Sequence, residues 1–120
     1  MRRFSKRDIT PSRIVYPVTF YPLEKLHVLC DGYRQVFQVA GCSLLLLETD
    51  GRRYLIENRC PHAGRPLHEA SLQQSHLTCP QHGICFSLLS GRPVTKNVDP
   101  DMKLAFYKLV YRDNMIGVDL

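Results

Sequence analysis

Long hydrophobic runs are missing from this chain. The longest, Leu44 to Leu47, is closed by Glu48 and Asp50, far short of the roughly 20 apolar residues a membrane helix needs, so no membrane span is expected. Export is not expected either: Arg2 and Arg3 form a twin arginine, but no apolar segment follows before Pro11. The Arg- and Ser-rich start has some mitochondrial-leader character, yet Pro11 limits any amphipathic helix there, and the compartment expected is the cytoplasm. At 120 residues the chain has no room for separate cofactor-binding and catalytic domains. Neither a phosphate loop, nor a glycine-rich dinucleotide fingerprint, nor a Ser-His-Asp signature occurs, so catalysis by this chain alone is not expected. No basic stripe interleaved with aromatics appears after Arg13, so the footprint of a nucleic-acid partner is missing too.

What is present is a composition able to form a core, with 44% hydrophobic and 22% charged residues. Of the net charge of +5, residues 1–13 supply +4 (five Arg or Lys against Asp8), which leaves +1 on the rest. Residues 1–13 therefore read as a flexible basic arm, solvated or suited to an acidic partner, and residues 14–120 as a single domain. Cysteines number five. An odd count without a secretory signal argues against a disulfide framework and for thiols that serve as ligands or core residues.

Six segments rich in Val, Ile, Leu, Tyr and Phe read as strands: Ile14 to Phe20, Tyr33 to Val39, Cys42 to Glu48, Arg52 to Glu57, Leu104 to Tyr111 and Met115 to Val118. Turn signals at Ala40-Gly41, Asp50-Gly51 and Asp113-Asn114 make antiparallel hairpins of them. A helical turn is expected only near Pro22 to Leu26. The fold class is all-β, a small antiparallel sandwich or partly open barrel. Residues 58–100 break the pattern: they are dense in Cys, His, Pro and Gly, and a β scaffold that holds loops rigidly lets such loops carry chemistry.

Two motifs stand in that segment, Cys60-Pro61-His62 and, after sixteen intervening residues, Cys79-Pro80-Gln81-His82. Two thiolates and two imidazoles suit a tetrahedral Zn²⁺ or a [2Fe–2S] cluster in which two His replace two Cys on one iron; the ligand count leaves both open. Spacing favours iron. Zinc fingers usually draw their Cys pair from one loop and their His pair from another, whereas each loop here supplies a mixed pair, as two loops clamping a two-iron cluster need. Pro61 and Pro80 fix φ after each cysteine, and Gly64 and Gly83 are free to adopt positive φ or to bring backbone amides close to an inorganic core.

Cys60-Pro61-His62-Ala63-Gly64, Pro66-Leu67, Cys79-Pro80-Gln81-His82-Gly83, Phe86 and Ser90-Gly91-Arg92-Pro93 together resemble the signature of Rieske ferredoxins, a resemblance spanning roughly residues 33–120. It implies an inserted two-loop cluster-binding subdomain at about residues 58–100 and one [2Fe–2S] cluster per chain. By matching position it implies that Cys60 and Cys79 bind the buried iron while His62 and His82 bind the outer iron through Nδ1. Pro100 resembles the proline of a third, covering loop. The resemblance also implies a one-electron carrier between a flavin reductase and a terminal oxygenase or other oxidoreductase. The alternatives are a small subunit of a larger oxidoreductase, such as that of nitrite reductase, and a structural zinc module. An oxygenase in its own right would need a second iron site of two His and a carboxylate, and only His27, His68 and His76 remain for it.

Departures from the high-potential members are informative. Where those members place the two disulfide-forming cysteines of the cluster loops, this chain has Arg65 and Gln81; where they place a serine and a tyrosine whose hydroxyls bond sulfur, it has Ile84 and Phe86. Fewer such hydrogen bonds imply a low potential. Cys85, Cys42 and Cys30 are expected to be inert, Cys85 as a buried core thiol, and His27, His68 and His76 to be surface histidines. Arg65 is either a loop cation or a contact for an acidic partner.

Overall fold

The computed structural model describes residues 18–80 and 82–120. The expected basic arm, the start of the first predicted strand and Gln81 lie outside them. The described chain is all-β: three three-stranded antiparallel sheets, not closed into a barrel. Strands β2 (Arg34–Val39), β3 (Cys42–Thr49) and β4 (Arg52–Glu57) form the first sheet. Strands β1 (Phe20–Lys25), β9 (Met115–Asp119) and β8 (Val110–Arg112) form the second, and β5 (Ser71–Gln73), β6 (His76–Thr78) and β7 (Cys85–Ser87) the third.

The three hairpin turns fall where the sequence places them. Val39 pairs with Cys42, Thr49 with Arg52 and Arg112 with Met115, each across a two-residue turn. Ala40 and Gly41 both have positive φ (49° and 82°), as do Asp50 and Gly51 (55° and 77°), the conformation whose twist matches the flanking strands.

The β2-β3-β4 sheet is the middle layer. Pleating sends alternate side chains to opposite faces. Leu45, Leu47 and Ile56 join Leu67, Leu77, Phe86, Leu88 and Leu104 in one core, while Leu44, Leu46 and Leu55 join Val39, Ile116 and Val118 in another. All four leucines of Leu44–Leu47 are fully buried. A continuous apolar run is what a strand covered on both faces requires.

Three expectations need correction. The turn expected near Pro22 lies later, as a single 3₁₀ turn at Leu26–Val28, and Pro22 is itself in β1. Because β1 is an edge strand with a register shift between Pro22 and Glu24, the missing proline N–H costs no ladder bond. The strand expected over Leu104–Tyr111 is regular only at Val110–Arg112. Upstream, its backbone partners change at each step: Leu104 N–H donates to Gly91 O (2.9 Å), Ala105 O accepts from Glu57 N–H (2.8 Å) and Tyr107 N–H donates to Leu55 O (2.7 Å). Such a segment stitches the third sheet to β4 without building a ladder. Finally, the Cys/His-rich segment contains β5, β6 and β7, each three residues long.

Gly117, buried at the centre of β9, is a steric requirement of this packing: a Cβ there would meet the Tyr21 carbonyl and the Phe20 ring at 2.8 Å. Gly117→Ala is expected to cost about 1–3 kcal/mol by prying β1 from β9, measured as a lowered urea midpoint with unchanged slope.

Candidate metal centre

Two loops project from the third sheet and its junction with β4, and they are built alike. In the first, Cys60 N–H donates to Arg65 O (2.7 Å) and Cys60 O accepts from Gly64 N–H (2.7 Å). In the second, Cys79 N–H donates to Ile84 O (2.9 Å) and Cys79 O accepts from Gly83 N–H (2.9 Å). Each cysteine is thus gripped by the residues four and five positions on. The turn back requires a left-handed residue at the fourth position, and Gly64 (φ 71°) and Gly83 (φ 66°) supply it. The loops differ in their histidine, which lies two residues after Cys60 and three after Cys79.

This arrangement sorts the four candidate ligands into two pairs. Cys60 and Cys79 are both fully buried, with the Cys60 thiol in hydrogen-bonding reach of Cys79. Burial pushes the Cys60 thiol above its ordinary pKa and the neighbouring Cys79 adds to this, while the backbone amides of Ala63 and His62 pull the other way. His62 and His82 are exposed, with ring centroids 4.8 Å apart and planes at 81°. Among the described residues, no three His, Cys, Asp or Glu side chains converge on a position for a single ion, whereas a tetrahedral zinc needs four donors around one point. Two thiols deep in the core and two imidazoles at the surface fit a cofactor with two metal atoms, one for each pair.

The loops are braced by residues that sequence reading missed. Asn58, almost completely buried, accepts Leu67 N–H through Oδ1 (2.7 Å), and its Nδ2 lies 3.3 Å from His68 Nδ1 and 3.4 Å from Ser43 Oγ. Its backbone N–H donates to Ser43 O (2.8 Å), so main chain and side chain of one residue pin the first loop to β3. From β2, the Arg34 guanidinium donates to His68 O (2.9 Å) and Ala70 O (2.6 Å). Neither bears a ligand atom for the centre. Asn58→Ala leaves the Leu67 N–H unpaired in the core and is expected to cost about 1–3 kcal/mol in denaturant unfolding.

The remaining sequence candidates fall outside the centre. His27, His68 and His76 are exposed, as is Cys30, and Cys42 is half-buried. Cys85 is not the buried core thiol expected. Strand alternation buries Ile84, Phe86 and Leu88 and turns Cys85 outward, half-exposed, onto a cavity shared with Gln73, Gln74, His76 and Thr78. Arg65 is exposed and lines a cleft between the loops. Pro100 is exposed, and its carbonyl accepts from the Arg92 guanidinium (3.2 Å).

An all-β scaffold whose two matched Cys–His loops pair thiols inside and imidazoles outside defines a two-loop iron–sulfur module. Residues 19–107 match the Rieske [2Fe-2S] domain, and the chain belongs to that family, with one [2Fe–2S] cluster as its cofactor. The match begins at the threshold of β1, ahead of the motif-based resemblance. The chain is 30% identical over 94 residues to apoptosis-inducing factor 3 of Mus musculus, a match covering 75% of this chain but only 16% of that protein. It is 33% identical over 64 residues to the ferredoxin component of the naphthalene 1,2-dioxygenase system of Pseudomonas aeruginosa, covering 50% of this chain and 62% of the relative. The fold is also that of the ferredoxin of carbazole 1,9a-dioxygenase from Nocardioides aromaticivorans (TM-score 0.69, 24% identity, 83% of this chain and 96% of that one).

Proposed function

We propose that this chain is a one-electron carrier, with Cys60 and Cys79 holding one iron of the cluster and His62 and His82 the other, that passes electrons from a flavin reductase to a terminal oxygenase or comparable oxidoreductase. The observation that carries this reading is the separation of a buried thiol pair from an exposed imidazole pair. Bound there, the cluster supplies reversible one-electron storage. The chain supplies the rest. Amides of His62 and Ala63 favour the thiolate of Cys60, the core beneath the loops keeps water from the cysteine side, and the exposed imidazoles place the outer iron's ligands within reach of a partner. None of the five cysteines is paired in a disulfide, which fits a reducing, cytoplasmic setting. Among the described residues no helix is long and apolar enough to cross a membrane. The dioxygenase ferredoxins it resembles support the oxygenase as acceptor. A second reading, a Rieske module or small subunit within a larger oxidoreductase, is favoured by the mouse relative, most of whose length lies outside the match.

Ile84 and Phe86 are buried and bring no hydroxyl to the second loop. The midpoint potential is therefore expected near the low end of the Rieske range, on the order of −150 mV. Phe86→Tyr is expected to raise it if the new hydroxyl reaches sulfur. A hydrogen bond favouring the reduced state by about 1 kcal/mol corresponds to roughly 40 mV for a one-electron couple. A redox titration of both proteins checks this, and a wild-type midpoint well above zero would contradict it. Acceptor function is tested by adding the cluster-loaded chain to an aromatic-ring oxygenase and reductase deprived of their own ferredoxin. Restored turnover is the expected result; its absence with several such pairs would favour the larger-oxidoreductase reading.

A further inference from the structure

The two loops that carry the exposed imidazoles hold more positive than negative fixed charge. Residues 58–70 and 79–84, which contain both loops, hold two arginines, Arg59 and Arg65, and a single acid, Glu69. Glu69 is turned toward His68, its Oε2 3.9 Å from Nε2. The Arg59 guanidinium lies over the tip of the first loop, its Nε 3.5 Å from the place a Cβ on Gly64 would take. Arg65 faces the second loop across a cleft of about 270 Å³ that it lines with Pro66, His68, Glu69 and Pro80. Both arginines are exposed.

This concentration is local. Residues 1–13 account for +4 of the net +5, so the other 107 residues together carry only +1, yet two arginines stand within a few residues of His62. Charges on a contact face steer encounter and set orientation more than they add affinity, and they act most strongly at low ionic strength.

We propose that Arg59 and Arg65 form the docking rim of this carrier, and that the partner they fit is a protein presenting a carboxylate-rich face, one acidic side chain of which enters the cleft beside Arg65. This inference rests on the electron-carrier reading above. Two arginines are too few to track a nucleic-acid backbone, and an exposed guanidinium offers a carboxylate a planar, two-point contact. The acidic partner approaches the imidazole edges first, and the cleft fixes its register.

The test uses the cluster-loaded full chain, reduced and mixed by stopped flow with two oxidants of opposite charge, ferricyanide and tris(phenanthroline)cobalt(III), at low and high ionic strength. The Arg59→Glu/Arg65→Glu variant is expected to react about tenfold more slowly with ferricyanide at low salt and faster with the cobalt complex, both differences shrinking at high salt. Lys25→Glu/Lys108→Glu makes the same change in net charge, but on exposed positions of β1 and of the segment leading into β8, by the other core. Its ferricyanide rate is expected to stay within about twofold of wild type. Equal effects of the two variants would overturn the docking rim while leaving the carrier reading standing. If the double variant fails to take up iron, Arg65→Glu alone carries the test, with the same direction of change expected and no change overturning the rim. A wild-type protein that never shows iron–sulfur absorption bleached by dithionite overturns the carrier reading and the rim with it.

Discussion

Cys79→Ala is expected to abolish the centre: iron falls from about two atoms per chain to near zero, and acid-labile sulfide falls with it. The physical reason is that the proposed thiolate ligands are the buried pair and nothing beside Cys79 can replace it, since Cys60 is the only other cysteine in the core. Cys60→Ala is expected to behave the same way. Cys85→Ala serves as the control, because Cys85 faces a cavity on the other side of its strand and should keep full iron. A cofactor that binds only the folded chain and ties two loops together also stabilises it. Losing about 3 kcal/mol of that linkage would lower Tm by on the order of 10 °C. Iron and sulfide analysis with a parallel thermal melt checks both parts; full iron in Cys79→Ala would exclude it as a ligand.

Phe86→Ala is the substitution with the largest expected cost to stability, about 3–5 kcal/mol. Phe86 is fully buried, opposite Leu77 on β6 and bridged to Pro93, and it sits in the core that also holds Cys60 and Cys79. The cavity left behind lies directly under the second loop, so looser iron binding should accompany the loss. Denaturant unfolding of the wild-type and variant proteins measures the first effect, and iron release to a chelator the second. A cost below about 1 kcal/mol would mean that the third sheet can collapse around the vacancy.

Both predictions rest on residues that the sequence makes legible to different degrees. The four ligand candidates could be read directly, because soft donors in two mixed pairs at short spacing have few other uses. The three hairpins were equally plain, since Ala40-Gly41, Asp50-Gly51 and Asp113-Asn114 interrupt strands of clear composition. Leu44–Leu47 read as a strand, but that it is the middle layer of three depends on β9 and on the loop-bearing subdomain, both distant in sequence. Strands β5, β6 and β7 are too short for period two to register.

Pro22 looked like a helix start. It lies instead on an edge where its missing N–H is harmless. Asn58 and Arg34 are illegible for a different reason: their roles consist of hydrogen bonds to residues distant in sequence, 34 and 36 positions away for Arg34 and 15 for the Asn58–Ser43 contact. The one local hint is a polar residue placed two positions before Cys60, just after the apolar end of β4. Cys85 stands in the apolar run Ile84 to Leu89, which points to a core thiol, but β7 buries only alternate residues and leaves Cys85 half-exposed.

Electron paramagnetic resonance on the purified chain, before and after dithionite, tests the central assignment most directly. The expected result is no signal when oxidised and, on reduction, a rhombic signal with the low average g of mixed Cys/His ligation, lost in Cys79→Ala and kept in Cys85→Ala. A silent reduced protein that holds zinc, and takes up no iron on anaerobic reconstitution, would contradict it.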